Sequence, residues 1–295
     1  MGNQSTSDGM WQVQLQNKFS LLSSAEASPS VQSRSDPEQS KSIKGSVIKN
    51  NEPDSAKSIR VASLNINRGL IKKENELKYT IQENNIDIIG VSEVDLMDFD
   101  EKKPFKIEGF NTFFPLKRPG SNKKRLLCFV KDNLDITQRS DLMSNTISSV
   151  WLELKTKSQK ILICTIYREW DNLDGNGPLD TGQHTENLRT LQSQIEIAIK
   201  EGLVIVIGDM NIDLKKWESQ KINKTAEDYQ LLIGECGLEI MDFGFTWSRI
   251  IESVLKQSAI DHALINKPEA VKDYFKVKFH KSDHDLIGVE VKINV

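Results

Sequence analysis

Six apolar runs in this chain each carry, at or near one end, a residue that could do chemistry. They are Ala62-Ser63-Leu64-Asn65-Ile66-Asn67, Ile88 to Glu93, Ile161 to Tyr167, Val204 to Asn211, Ala259 to Ile265, and the short Ser282-Asp283-His284-Asp285. A buried carboxylate or amide costs free energy unless it has a partner or a task. Gathered on one rim, such ends would form a site for a metal ion and a phosphate. Asn65 and Asn67 alternate along a strand and are expected on one face; Asp209 and Asn211 repeat that arrangement after Gly208. Any one of them reads equally as a turn residue, since Asn and Asp favour strand ends for local hydrogen-bonding reasons. Turn propensity does not account for the repetition, nor for the third cluster at Asp283-His284-Asp285.

Of the four histidines, His262 and His284 directly follow Asp261 and Asp283. A carboxylate near a histidine orients the ring and stabilises its charged form. A further acidic group there can hold a divalent cation. Oxygen donors without a cysteine cluster favour Mg2+, or Mn2+, over zinc.

These residues need strands to carry them. Ile59 to Leu64, Ile86 to Val91, Phe110 to Phe114, Leu126 to Val130, Val150 to Leu154, Ile161 to Ile166 and Leu203 to Ile207 read as strands, with three more near Thr246, Ala263 and Leu286. A charged helical stretch carries Leu77, Ile81 and Ile71 on one face. The spacing of Leu188, Leu191, Ile195 and Ile199 predicts a helix over 185–200 that Gly202 ends, and a further helix runs over 225–236, closed by Gly237. Alternating strands and helices argue for an α/β layered domain over 58–295. Residues 1–57 are rich in Ser, Gln, Asn and Lys, show no sustained period and are expected to be disordered. Within them, Trp11 to Leu22 reads as a docking element or as a chance cluster. The first six residues fit the loose pattern for myristoylation at Gly2, or are simply a disordered start.

Composition narrows the function classes. The 295 residues carry a net charge of -3, so no global basic field exists and any nucleic-acid contact needs a local patch. The three cysteines, Cys128, Cys164 and Cys236, lack ligand spacing, which argues against disulfides and structural zinc. No run is long enough for a membrane span and no secretory signal opens the sequence, so an intracellular location, nuclear or cytoplasmic, is the expectation.

The elements SLNIN, VSE, IYR, GDMN, IDH and SDHD, in this order and spacing across residues 59–295, resemble the endonuclease/exonuclease/phosphatase superfamily, which shares its fold with DNase I. Details at Leu64 to Asn67, Tyr167-Arg168, Ala259 to His262 and Ser282 to His284 look most like the endonuclease domain of non-LTR retroelements. Asn17 to Leu22 also looks like sequence found upstream of such domains. The resemblance implies a four-layer α/β sandwich, with two packed mixed β-sheets flanked by helices. It further implies a monomeric, Mg2+-dependent endonuclease that nicks double-stranded DNA and leaves 3′-hydroxyl and 5′-phosphate ends.

Site roles follow from the same resemblance. Glu93 would be the main metal ligand, assisted by Asn67 and Asp283. Asp209 would activate water, with Asn211 and Asn65 holding the phosphate and neighbouring carboxylates. His284, oriented by Asp261, would bind the scissile phosphate, and Tyr167 would donate a further hydrogen bond or assist the leaving group. DNA contact is expected from a basic loop of Lys117, Arg118, Lys123, Lys124 and Arg125, unless that loop is merely solvated, and from Trp247 with Arg249, unless Trp247 is core. Two departures stand out. Arg168-Glu169-Trp170 occupies the place of a phosphate-holding Asn, and Lys123-Lys124-Arg125 that of a Gly-Gly-Val type strand start. Ser258 to Asp261 differs from the Trp-Cys-Asp-Arg type motif of inositol-phosphate phosphatases. A lipid or nucleotide phosphatase, or a non-catalytic binding descendant, remains the alternative. No reverse transcriptase follows, which fits either a fragment of a larger element or a free-standing copy.

Overall fold

The computed structural model describes residues 58–97, 105–118, 123–157, 159–170, 179–217 and 223–293. The expectations for residues 1–57, including Gly2 and Trp11 to Leu22, lie outside the described residues. From Ser58 the chain runs through β1 (Ser58–Asn65), helix α1 (Glu74–Glu83), β2 (Ile88–Met97), β3 (Phe110–Phe113) and β4 (Lys123–Lys131). It continues through β5 (Ile136–Gln138), β6 (Ser148–Lys155), β7 (Lys160–Tyr167), α2 (Thr181–Ala198), β8 (Gly202–Asp209) and α3 (Lys224–Glu235). Six strands close it: β9 (Glu239–Ile240), β10 (Trp247–Ile251), β11 (Val254–Ser258), β12 (Asp261–Ile265), β13 (Val271–Lys278) and β14 (Asp285–Lys292).

Two six-stranded mixed sheets result, ordered β13-β14-β1-β2-β4-β3 and β5-β6-β7-β8-β12-β9. Each is built around a parallel pair, β1 with β2 and β7 with β8. An antiparallel strand borders each pair, β14 beside β1 and β12 beside β8. The central strands are buried on both faces, which explains their continuous apolar runs. One face of each sheet contributes Val61, Ile88, Val150, Ile163 and Ile207 to a shared inter-sheet core. The opposite faces pack against helices: Leu77 and Ile81 of α1 on the first sheet, Leu188, Leu191 and Tyr229 of α2 and α3 on the second. Helix, sheet, sheet, helix is the expected four-layer sandwich. Inter-sheet contact is tight at Gly90, where an added Cβ would lie 2.6 Å from Cβ of Thr165.

Several local expectations shift. Helix α2 begins at Thr181, where Asp180 and Gln183 form a reciprocal capping box that Gly182 obscures in the sequence. It ends at Ala198, and Gly202 opens β8 rather than closing the helix. Ile71 sits in a 3-10 turn with its side chain 66% exposed, off the buried stripe. The strand expected near Thr246 is a hairpin, β10 with β11. Its two-residue turn, Glu252-Ser253, has φ of 50° and 65°, the left-handed pair a type I′ turn requires. β13 is an edge strand in which Lys272, Asp273, Lys276 and Lys278 interrupt any clean apolar alternation. The cysteines are buried and free; burial pushes the Cys128 thiol up to about 12, so it is inert.

Candidate active site

Strand direction gathers the chemistry. The parallel strands end, and the antiparallel strands β12 and β14 begin, on one rim of the sandwich. In the second sheet, Tyr167 and Asp261 flank Asp209 in register, making one row across β7, β8 and β12. In the first, Asn65 lies opposite Ser92, the residue before Glu93. The two rows meet where Asn65 Nδ2 donates to Asp209 Oδ2 across the sheet interface at 2.9 Å.

The repeated Asx pairs are real, and their geometry is more specific than strand alternation. Asn67 N–H donates to Asn65 Oδ1 at 2.9 Å, and Asn211 N–H donates to Asp209 Oδ1 at 2.8 Å. Both strands have ended at that point, and Asn67 and Asn211 each adopt φ of 49°, left-handed backbone that Asn tolerates best. Asn65 and Asn67 therefore diverge: the first reaches Asp209, and the second donates from Nδ2 to Asp283 Oδ1 at 2.8 Å. Asn211 Nδ2 donates to the Arg168 carbonyl at 2.9 Å.

His284 Nδ1 lies 2.9 Å from Asp261 Oδ2, and both side chains are buried. Burial disfavours the ring's charge, but Asp261 outweighs it and holds the imidazolium up to about 10. Burial, then the adjacent Asp261, pushes the Asp209 carboxyl up to about 7. Asp209, Asp261 and His284 present ligand atoms within 4.8 Å of one another. With its Nδ1 engaged by Asp261 and its proton retained, His284 is a poor metal ligand, and the pair lies as a hydrogen-bonded unit beside the Asp209 carboxyl. Ser282 Oγ donates to the Asn65 carbonyl at 2.8 Å and accepts from His284 N–H at 3.2 Å, which ties the His284 loop to the end of β1.

Glu93 occupies a bulge in β2 with φ of 53° and accepts from Tyr167 Oη at 3.0 Å. Asp283, besides its bond to Asn67, accepts from Trp247 Nε1 at 2.9 Å. Lys73, which sequence reasoning missed, donates to the carbonyls of Ile66 and Asn67 at 2.5 and 3.0 Å. Burial lowers its pKa, opposed by Asp283, Glu76 and Glu93, so one ammonium senses both Glu93 and Asp283. Only its position one helical turn beyond the Asn-Ile-Asn segment could have signalled it. Glu93, Asn67 and Asp283 offer oxygen donors alone, a set that suits a hard cation such as Mg2+.

The expected DNA-contact residues divide. Arg125 belongs to β4, is only 8% exposed, donates from Nη2 to Tyr167 Oη at 3.0 Å and pairs through Nε with Asp95 at 3.0 Å. It is thus a buried strand residue and not part of an exposed basic loop. Arg118 turns inward to Glu169 at 3.0 Å, and Glu169, which also accepts from Ser148, is fully buried away from any substrate. Trp247 is held by Asp283 and does not project as a wedge, whereas Arg249 is exposed on the hairpin. Arg168 is buried; it donates to the Met210 and Asn211 carbonyls and to His184 Nδ1 at 2.7 Å, bracing the turn that carries Asn211. Beside Asn211 opens a pocket of about 350 Å³, bordered by Trp170, His184, Lys216, Ser258 and Ile260.

The family model described as endonuclease-reverse transcriptase matches residues 161–288, the span from β7 into β14. That match, over less than half of the chain, together with the fold supports the resemblance to the endonuclease/exonuclease/phosphatase superfamily. Solved structures with the DNase I-like fold superpose on the chain. The endonuclease domain of TRAS1, a telomere-specific non-LTR retrotransposon, is 19% identical, with 80% of this chain and 100% of that chain covered and a TM-score of 0.61. The AP endonuclease LMAP from Leishmania major is 11% identical over 81% and 89% of the two chains, with a TM-score of 0.64. The 3′ phosphatase NExo from Neisseria, bound to a product DNA hairpin, is 17% identical over 79% and 99%, with a TM-score of 0.58. At these identities the likeness is one of fold. No curated protein matches the sequence.

Proposed function

We propose that this protein is a Mg2+-dependent phosphodiesterase that nicks one strand of double-stranded DNA, leaving 3′-hydroxyl and 5′-phosphate ends. One observation carries the reading: Asn65, Asp209, Asp261 and His284 form a continuous hydrogen-bonded and row-paired set across both sheets, on the rim that also bears Glu93. A fold kept only for binding has no chemical need of that set. A resemblance to retroelement endonucleases and the TRAS1 fold match support the choice of DNA.

Asp209 is the base. Two hydrogen bonds, from Asn65 and from Asn211 N–H, fix its carboxylate, and its raised pKa suits removal of a proton from water near neutral pH. His284, kept cationic by Asp261, donates to a non-bridging phosphate oxygen and gains most as charge develops there. Tyr167 is a neutral donor whose Oη–H points at Glu93. Glu93, Asn67 and Asp283 would hold the metal ion, which when bound supplies Lewis-acid stabilisation of the charge built up on the phosphate. Beside the site the β10–β11 hairpin presents Arg249, Ile250 and Leu255 outward, a two-stranded ribbon suited to a DNA groove.

The test is a substrate panel. Purified protein with Mg2+ is given supercoiled plasmid, an end-labelled duplex, phosphoinositide vesicles and ribonucleotides. The expected result is a nick that DNA ligase reseals directly, since ligation needs 5′-phosphate and 3′-hydroxyl ends. Phosphate release from lipids or nucleotides without nicking would overturn the DNA reading.

A further inference from the structure

The bulge in β2 that carries Glu93 is fastened by a residue the mechanism above does not use. Ser92 pairs with Leu126 and Leu96 with Lys124, so the extra residues of the bulge sit opposite Arg125 alone. Inside the bulge Glu93 and Asp95 both hold left-handed backbone, with φ of 53° and 49°. Such conformations in non-glycine residues cost of order 1–3 kcal/mol each and persist only where the surroundings over-determine them. Arg68 holds the bulge from outside, its N–H donating to the Glu93 carbonyl at 3.0 Å and its Nε lying 3.3 Å from Asp95 Oδ2, and Arg125 holds it from inside at two points. Arg125 Nε pairs with Asp95 Oδ1 at 3.0 Å, and its Nη2 donates to Tyr167 Oη at 3.0 Å while the guanidinium lies 5.0 Å from the Tyr167 ring centroid.

The direction of these bonds matters. A guanidinium can only donate. Tyr167 Oη therefore accepts from Arg125, and its single proton is free for Glu93 Oε1, 3.0 Å away. We propose that Arg125 is a positioning residue for the reaction: from one buried site it clamps the Glu93 bulge through Asp95 and commits the Tyr167 proton to Glu93. This replaces the substrate-binding role expected from the sequence, and it rests on the phosphodiesterase reading above.

A double-mutant cycle with Tyr167→Phe tests it. Arg125→Met is expected to lower kcat on the order of 10- to 100-fold, the range for residues that orient a metal's ligands. KM and the salt dependence of binding stay unchanged. In the Tyr167→Phe background Arg125→Met then costs only the part exerted through Asp95. Arg125→Lys recovers part of the loss, because an ammonium cannot serve both partners in the guanidinium's geometry. If Arg125→Met does not fold, Arg125→Lys carries the same cycle. Fully multiplicative effects would overturn the proposal. So would a raised KM with a shallower salt slope, the mark of a direct phosphate contact. A metal-free readout separates this proposal from its parent. The 13Cζ resonance of Tyr167, which reports hydrogen bonds at the phenol oxygen, must shift in Arg125→Met; an unmoved resonance sinks the clamp whether or not the protein nicks DNA.

Discussion

Two Asp-His dipeptides with the same sequence signature have opposite fates. His284 meets the carboxylate of Asp261 and is kept charged. His262 stacks on Tyr229, takes that hydroxyl at Nδ1 and reaches the Ala259 carbonyl with Nε2, and its burial lowers the pKa to about 4. The sequence marks both dipeptides alike because partner choice depends on register across β8 and β12. Two predictions follow at this scale. For His262, the folded pKa lies below the unfolded value, so the unfolded state binds the proton first and stability drops as pH falls from about 6.5 to 4, by roughly 3 kcal/mol. Thermal melts at pH 7.5 and 5 should show a shallower acid loss in His262→Gln; parallel losses would contradict it. For catalysis, Asp209 must be ionised and His284 protonated, so the nicking rate should rise as pH passes about 7 and fall toward about 10. A profile with neither a rise through pH 7 nor a fall near pH 10 would remove both roles.

At the scale of elements, the buried strands were readable because burial on both faces leaves apolar runs that little else produces. What the sequence hid was backbone conformation. Asn67, Glu93 and Asn211 owe their side-chain directions to left-handed φ just past or within strand ends, and no propensity marks a glutamate for that. The hairpin turn Glu252-Ser253 lacks the Asn-Gly signature of its type, so β11 went unseen. Arg125 looked like one of a run of basic residues, and only the pairing of β2 with β4 reveals it as buried. Gly90 tests the sheet packing. Gly90→Ala must displace Thr165, and is expected to cost about 1–3 kcal/mol in chemical denaturation; a neutral change would show that the layers have slack. The hairpin tests DNA recognition. Ile250 and Leu255 are 72% and 58% exposed, so replacing both with Ser should leave stability within about 0.5 kcal/mol. The positions nicked on a plasmid, mapped by primer extension, should spread; an unchanged pattern would mean that the hairpin does not read DNA.

The whole molecule carries a net charge of -3, and two of its expected basic contacts, Arg118 and Arg125, are spent on Glu169 and Asp95 inside the fold. With an acidic net charge and these two arginines paired internally, the proposed DNA contact is expected to be local and not a broad cationic face. Its affinity should come from the rim and the hairpin, with a slope of log Kd against log salt equivalent to only a few phosphates. Titration of a fluorescent duplex from low to high salt measures it, and a steep slope would point to a basic surface beyond the rim. The four-layer sandwich serves one end: two sheets, each with a parallel pair bordered by an antiparallel strand, direct their functional ends to the same edge. The claim that this edge is a single metal-assisted phosphodiesterase site is tested most directly by plasmid nicking. Wild-type protein should relax supercoiled plasmid only with Mg2+ present, and Glu93→Ala and Asp209→Asn should each lose at least 100-fold, about the lower bound for a catalytic group, while melting like wild type. Nicking that persists in both variants, or that survives removal of the metal by EDTA, would contradict it.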